Sequence, residues 1–209
     1  MEVNNFERIK KYMQLIMVRD GTNPKDKYDA FFEIRILTRN KDFNEKGHTN
    51  DFCHSYHIYS IKDLENYQDQ IIKLCNMFNA RAYFGICRKS VRGVTKRLHV
   101  EIAKSFLNDD LIKPWKLIDR VTMSYYKSKE RKFMIDIDSK DIEYINYISS
   151  IVNKLGGIIL TEIPTVHGIH LITTPFNLDA YKELINKDNK EISEIKKNHI
   201  TLLYANTND

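Results

Sequence analysis

A chain of 209 residues with 42% hydrophobic and 29% charged side chains is neither disordered nor collagen-like, and it can bury the core of one large domain or of two tightly packed lobes. No apolar run approaches the ~20 residues that span a bilayer, and residues 1–11 mix acids, amides and bases without an apolar signal segment, so a cytoplasmic protein is expected. Against 28 acids stand 33 bases, and the resulting charge of +5 tilts the chain mildly towards phosphate-bearing partners without specifying one.

Helical spacing opens the chain at 6–18, and 31–38 (FFEIRILT) alternates apolar and polar as a strand does. The polar stretch 39–50 reads as a loop, 55–60 (SYHIYS) as a second strand, and 62–78 as an amphipathic helix with Leu64, Tyr67, Ile71, Leu74 and Cys75 on one face. A third strand at 82–87 (AYFGIC) precedes a helix at 94–107, which Asn108-Asp109-Asp110 ends. This first half, over 1–125, predicts a lobe in which helices lie on a small sheet.

After a polar run at 126–131, the strand 133–138 (FMIDID) leads into a helix at 141–155 that stops at Gly156-Gly157. Strands at 158–163 and 169–174 (IHLITT) flank the turn 164–168, which suits a hairpin. A helix at 178–186 and a strand at 200–205 (ITLLYA) complete the order β-α-β-β-α-β over 126–209, that of an RRM-like, ferredoxin-like sheet. The expected class is α+β, and with no Pro/Gly-rich linker between them the two lobes can form one compact domain.

Period two along FMIDID sends Phe133, Ile135 and Ile137 to the core face and Met134, Asp136 and Asp138 to the other. Two carboxylates about 7 Å apart on one side of a strand suit an oxygen-seeking cation such as Mg²⁺ or Mn²⁺. In the alternative, Asp138 with Ser139 merely caps the following helix and Asp136 is an exposed sheet residue. Alternation separates His170 from Ile169 and Leu171, so it can look across the open face at the carboxylates; a structural histidine with satisfied hydrogen bonds is the competing assignment. Gly168 lets the backbone approach a ligand closely, and His167 or the N–H groups of the turn can meet a phosphate. Arg131 and Lys132 either neutralise phosphate charge or are plain surface.

Arg88, Lys89, Arg92, Lys96 and Arg97 place five bases within ten residues at a helix start. The macrodipole disfavours cations there, so a nucleic-acid phosphate would compensate them; a solvated face is the alternative. Tyr83 and Phe84 on the adjacent strand are core residues or, if one is exposed, a platform for a base. Cys53, Cys75 and Cys87 form no CxxC and leave one over in any disulfide scheme, which favours buried thiols in a reduced compartment. His48, Cys53, His54 and His57 are zinc-ligand types, but their spacing matches no zinc motif and His54 and His57 point to opposite faces of a strand. His167 and His170 make HxxH, not the HxH of nicking enzymes with a tyrosine nucleophile.

The FMIDID strand followed by Gly168-Ile169-His170 resembles the archaeo-eukaryotic primase-polymerase superfamily, whose sites combine an hhhDhD/E strand with a later small-x-His strand. The resemblance covers the second half of the chain and implies an RRM-like palm in which Asp136 and Asp138 hold Mg²⁺ or Mn²⁺ and His170 contacts the phosphates of an incoming nucleoside triphosphate. It further implies two-metal nucleotidyl transfer on a nucleic acid, as in DNA replication. Abundant Ile, Asn and Lys fit an AT-rich bacterial or phage source. The family also places a third carboxylate on a late strand; ITLLYA has none, and Glu162 on the neighbouring strand is the available substitute. The enzyme reading therefore stands beside a second one, a nonenzymatic nucleic-acid-binding or interaction module on an RRM-like sheet.

Overall fold

The structure, a computed structural model, describes residues 2–19, 30–38, 51–108, 117–118, 120–122, 131–188 and 192–206. Its elements in chain order are β1 (Glu2–Asn4), α1 (Phe6–Arg19), β2 (Ala30–Thr38), β3 (Asp51–Ile58), α2 (Ile61–Phe78), β4 (Ala80–Gly85), β5 (Lys89–Ser90) and α3 (Val91–Leu107), followed by β6 (Phe133–Ile137), α4 (Ile142–Lys154), β7 (Ile159–Pro164), β8 (Ile169–Thr173), α5 (Leu178–Lys187), β9 (Glu194–Lys197) and β10 (Ile200–Asn206). The fold is mixed α+β with two antiparallel sheets, one in the order β1-β10-β4-β2-β3 with β5 also paired to β2, the other in the order β7-β8-β6-β9.

Local chemistry sets several of these boundaries. Ser60 caps α2, its hydroxyl accepting from the Asp63 amide at 3.1 Å while the Asp63 carboxylate accepts from the Ser60 amide at 2.9 Å, a reciprocal box worth about 1 kcal/mol. The helix ends where Asn79 turns left-handed at φ 46°. Gly156, at φ 79°, takes the same conformation just beyond α4, as its glycine pair predicts.

Strand alternation then distributes side chains between two cores. Phe32, Ile34 and Ile36 of β2 pack with Phe6, Ile9, Met13 and Ile16 of α1 and with Leu64, Ile71 and Cys75 of α2. Ile135 and Ile137 of β6 and Leu171 of β8 pack instead with Ile148 and Val152 of α4 and Tyr181 and Ile185 of α5. The opposite face of this second sheet is not open throughout, because Met134, Ile163 and Ile172 enter the first core and seat one sheet against the other. Asn5 fastens the junction: its buried side-chain amide donates to the Pro164 carbonyl at 2.9 Å and the Leu202 carbonyl at 3.0 Å.

Two sequence expectations are corrected. The strand at 200–205 does not close the C-terminal sheet; β10 lies between β1 and β4 in the first sheet, and Glu194–Lys197 takes the edge position beside β6. In consequence a boundary near residue 125 does not separate the sheets, since the first is completed from residues beyond 200. The loop at 39–50, the end of the helix at 109–110 and the polar run at 126–130 lie outside the described residues. Cys75 and Cys87 are buried thiols. Among the described residues no helix is long and apolar enough to cross a membrane.

A buried ionic group lies on β2 away from the first core. Glu33 accepts from Arg35 Nη2 at 2.5 Å and from Lys89 Nζ at 2.6 Å, and Lys89 also donates to the Thr122 carbonyl. Burial pushes the Lys89 ammonium below its ordinary pKa against the pull of Glu33. Glu33→Gln should leave these buried cations short of counter-charge and cost about 3–5 kcal/mol, read as a lower urea midpoint; an unchanged midpoint would show that the pairs add nothing net.

Candidate functional site

Antiparallel register places Asp136 of β6 directly opposite His170 of β8 on one side and Glu194 of β9 on the other, so all three share a face. His170 Nε2 lies 3.1 Å from Asp136 Oδ1, and Lys196 Nζ bridges Asp136 Oδ2 at 2.7 Å and Glu194 Oε2 at 3.0 Å. The other imidazole nitrogen, Nδ1, is 2.8 Å from the hydroxyl of Thr201 on β10, in the other sheet. The hydrogen bond from His170 outweighs burial and, with Lys196, holds the Asp136 carboxyl well below the usual carboxylate range. Burial alone would lower Lys196, but its hydrogen bonds to Asp136 and Glu194 prevail and raise its pKa.

These groups form one wall of a cleft of about 720 Å³ between the sheets, within the range typical of small-molecule sites. Asp136, Asp138, His167, His170, Glu194 and Lys196 make that wall charged and hydrogen-bonding. Leu37, Arg81, Tyr83 and Leu202 face it from the first sheet, and Val166 of the β7–β8 turn packs, as Tyr83 does, against the cluster of Val3, Leu202 and Ala205.

Asp138 is exposed and lines the cleft; it does not cap α4, because Asp141 does, accepting from the Glu143 amide at 2.9 Å. Gly168 has a different reason from the one expected. A Cβ there would collide with the Ile137 carbonyl and come within 2.8 Å of the Ser139 amide, so glycine admits the turn against the end of the FMIDID strand and not against a ligand. His167 is exposed and lines the cleft. Glu162 is opposite Leu171, on the α4 and α5 side of the sheet, while Asp136 and His170 lie in register with Ile163 on the other side; Glu162 therefore cannot join Asp136 at one cation. Arg131 is exposed and is not part of the cleft lining, and Lys132 is buried, its amide donating to Asn198 Oδ1 at 3.0 Å.

The basic cluster is split. Arg88 and Lys89 are buried, and Lys89 is committed to Glu33, which removes it from any exposed phosphate-binding row. Arg92, Lys96 and Arg97 are exposed on α3, where Arg97 pairs with Glu101 at 3.1 Å. Phe84 is fully buried, whereas Tyr83 is half-buried on the cleft wall. His54 packs on Tyr56 and His57 on Phe31, and His48 lies outside the described residues. Among the described residues no three His, Cys, Asp or Glu side chains are gathered into a metal-binding group; the Lys196 ammonium lies between Asp136 and Glu194.

Glu194 and Lys196 escape a reading of the sequence because β9 carries too little apolar alternation to register as a strand, and Thr201 because the neighbours of its strand are not legible in ITLLYA. The one legible signal is Ile195 between two charges, which as a strand puts Glu194 and Lys196 together on the face away from it. No family model, curated protein or solved structure matches this chain.

Gly168→Ala should cost roughly 1–3 kcal/mol or more, since backbone and not a flexible side chain blocks the added methyl, and the measurement is the urea midpoint. Asp136, whose folded pKa is depressed, contributes stability above the unfolded carboxylate value of about 3.9 and loses it as pH falls through the folded value. The difference in urea midpoint between wild type and Asp136→Asn should therefore narrow as the pH is lowered below about 4.

Proposed function

We propose that this protein is a primase-polymerase-like nucleotidyltransferase that joins a nucleoside triphosphate to a nucleic-acid 3′-hydroxyl. The observation that carries this reading is the register itself: the His170 imidazole and the Glu194 carboxylate flank Asp136 on adjacent strands, with Asp138 on the same cleft wall. The strand order β7-β8-β6-β9, with α4 and α5 as the connections, supports reading this sheet as an RRM-like palm. On this reading Glu194, opposite Asp136, would take the part of the late-strand carboxylate that ITLLYA lacks, and Glu162 would not be needed.

Asp136, Asp138 and Glu194 are not gathered into a metal-binding group among the described residues, but each offers oxygen from the same cleft wall, as Mg²⁺ or Mn²⁺ requires, and the ammonium bridging Asp136 and Glu194 marks a place where positive charge is stable. A divalent ion held there would neutralise the charge that builds up as the 3′-oxygen bonds the α-phosphorus and pyrophosphate leaves. The chain's own residues do the rest. His170, once Asp136 turns to a cation, presents Nε2–H to a phosphate oxygen, and Lys196, displaced from the carboxylates, offers a second cationic donor to the same triphosphate. Tyr83, on the opposing wall, gives the nucleobase an aromatic face. A cleft with one wall of charged and imidazole groups and an opposite wall of Leu37, Tyr83, Leu202 and Arg81 suits a ligand that is anionic at one end and flat at the other.

One observation favours the second reading, a nonenzymatic nucleic-acid-binding module: Lys196 satisfies Asp136 and Glu194 without a metal. Mn²⁺-dependent triphosphate binding followed by primer extension separates the two. The enzyme reading expects Asp136→Asn and Asp138→Asn each to reduce incorporation by at least about 100-fold, Glu194→Gln to reduce it strongly, and Glu162→Gln to leave it near wild type. Equal triphosphate and Mn²⁺ binding by wild type and both aspartate variants would remove the site, and nucleic-acid binding without extension would select the module.

A further inference from the structure

We infer that Thr201 is the positioning residue that anchors the ring and fixes the aim of His170, so that the first sheet controls how the second sheet's site meets a triphosphate. The inference rests on the nucleotidyltransferase reading for its consequence, and on geometry alone for its premise. Thr201 is fully buried on β10, and its hydroxyl lies 2.8 Å from His170 Nδ1. The opposite nitrogen, Nε2, lies 3.1 Å from an Asp136 carboxylate oxygen, which only accepts. Nε2 must therefore carry a proton in this arrangement.

The hydroxyl anchors the other side of the ring in either charge state. When the imidazole is neutral, Nδ1 is an acceptor and the Thr201 O–H donates to it; when it is cationic, Nδ1–H donates and the same oxygen accepts. A rotatable hydroxyl serves both, whereas a carbonyl or an ammonium in that position would serve only one. His170 thus keeps Nε2–H directed into the cleft whether Asp136 occupies it or a phosphate oxygen replaces Asp136. Thr201 stands opposite Phe84 in the β10–β4 ladder, and the Leu202 that follows it faces the cleft, so the hydroxyl is placed by the first sheet and not by the strand that carries the histidine.

The test compares the full chain with Thr201→Val, which keeps the shape and removes the hydroxyl, and Thr201→Ser, which keeps the hydroxyl. Long-range proton–nitrogen spectra, with His170 assigned through His170→Gln, should show the Nε2–H form that Asp136 sets in all three proteins, with the Nδ1 resonance displaced only in Thr201→Val. Triphosphate affinity in the presence of Mn²⁺ should fall roughly tenfold or more in Thr201→Val and recover in Thr201→Ser, with the thermal midpoint near wild type in both. Should the valine variant fail to fold, Thr201→Ala set against Thr201→Ser makes the same comparison. An unchanged Nδ1 resonance without the hydroxyl overturns the inference whatever the affinity does. A displaced Nδ1 resonance in a protein whose wild type binds no triphosphate upholds the anchoring of His170 and sinks the nucleotidyltransferase reading instead.

Discussion

The arrangement of the molecule depends on where β10 is inserted. Ile200–Asn206 hydrogen-bonds to β1 on one edge and β4 on the other, completing the first sheet, and from that position it supplies Thr201 to His170, Leu202 to the cleft and the Leu202 carbonyl to Asn5. An isolated strand has no stable alternative for its backbone groups once it is buried between two others. The contact between the sheets is therefore covalently continuous with the middle of the first sheet, and the cleft is a consequence of that continuity. Met134, Ile163 and Ile172 then close one end of the gap with apolar contacts while Asp136 keeps the other end polar.

The site concentrates charge in a partly dry space and settles it internally. Asp136 has a neighbour on each oxygen, His170 on one and Lys196 on the other. Charges withdrawn from water need such partners, and a carboxylate so surrounded stays ionised well below its ordinary range. Glu33 solves the same problem elsewhere with Arg35 and Lys89, but there burial is nearly complete. The contrast distinguishes a charge cluster that ties elements together from one that remains within reach of a ligand.

Strong periodicity made β6, α2, α4 and the β7–β8 hairpin legible within a residue or two, because each has one face that must be buried and a turn or cap that must be polar. The face shared by Asp136 and His170 followed from the same alternation. The partners of β10 did not, since ITLLYA reads as a good strand anywhere and only contacts nearly 200 residues apart in sequence decide its neighbours. β9 was invisible for a different reason: a short edge strand of glutamate, isoleucine and two lysines gains its order from β6 and not from its own composition. Lys89 was misread because a run of bases resembles a solvated face; the lone Glu33 amid the apolar FFEIRILT was the available sign that a buried cation would be needed.

The place of β10 also has a consequence in time. A ribosome delivers β1 and β4 long before residues 200–206, so for most of synthesis the two strands that will flank β10 have no partner between them, and their ladder groups remain open to water or to a chaperone. Asn5 waits equally long for the Leu202 carbonyl. The cleft cannot exist in any shorter nascent form, because the hydroxyl beside His170 and part of its floor arrive with that strand. Folding of the first sheet and maturation of the site are then one late, non-local event, of the kind that long-range pairing makes slow.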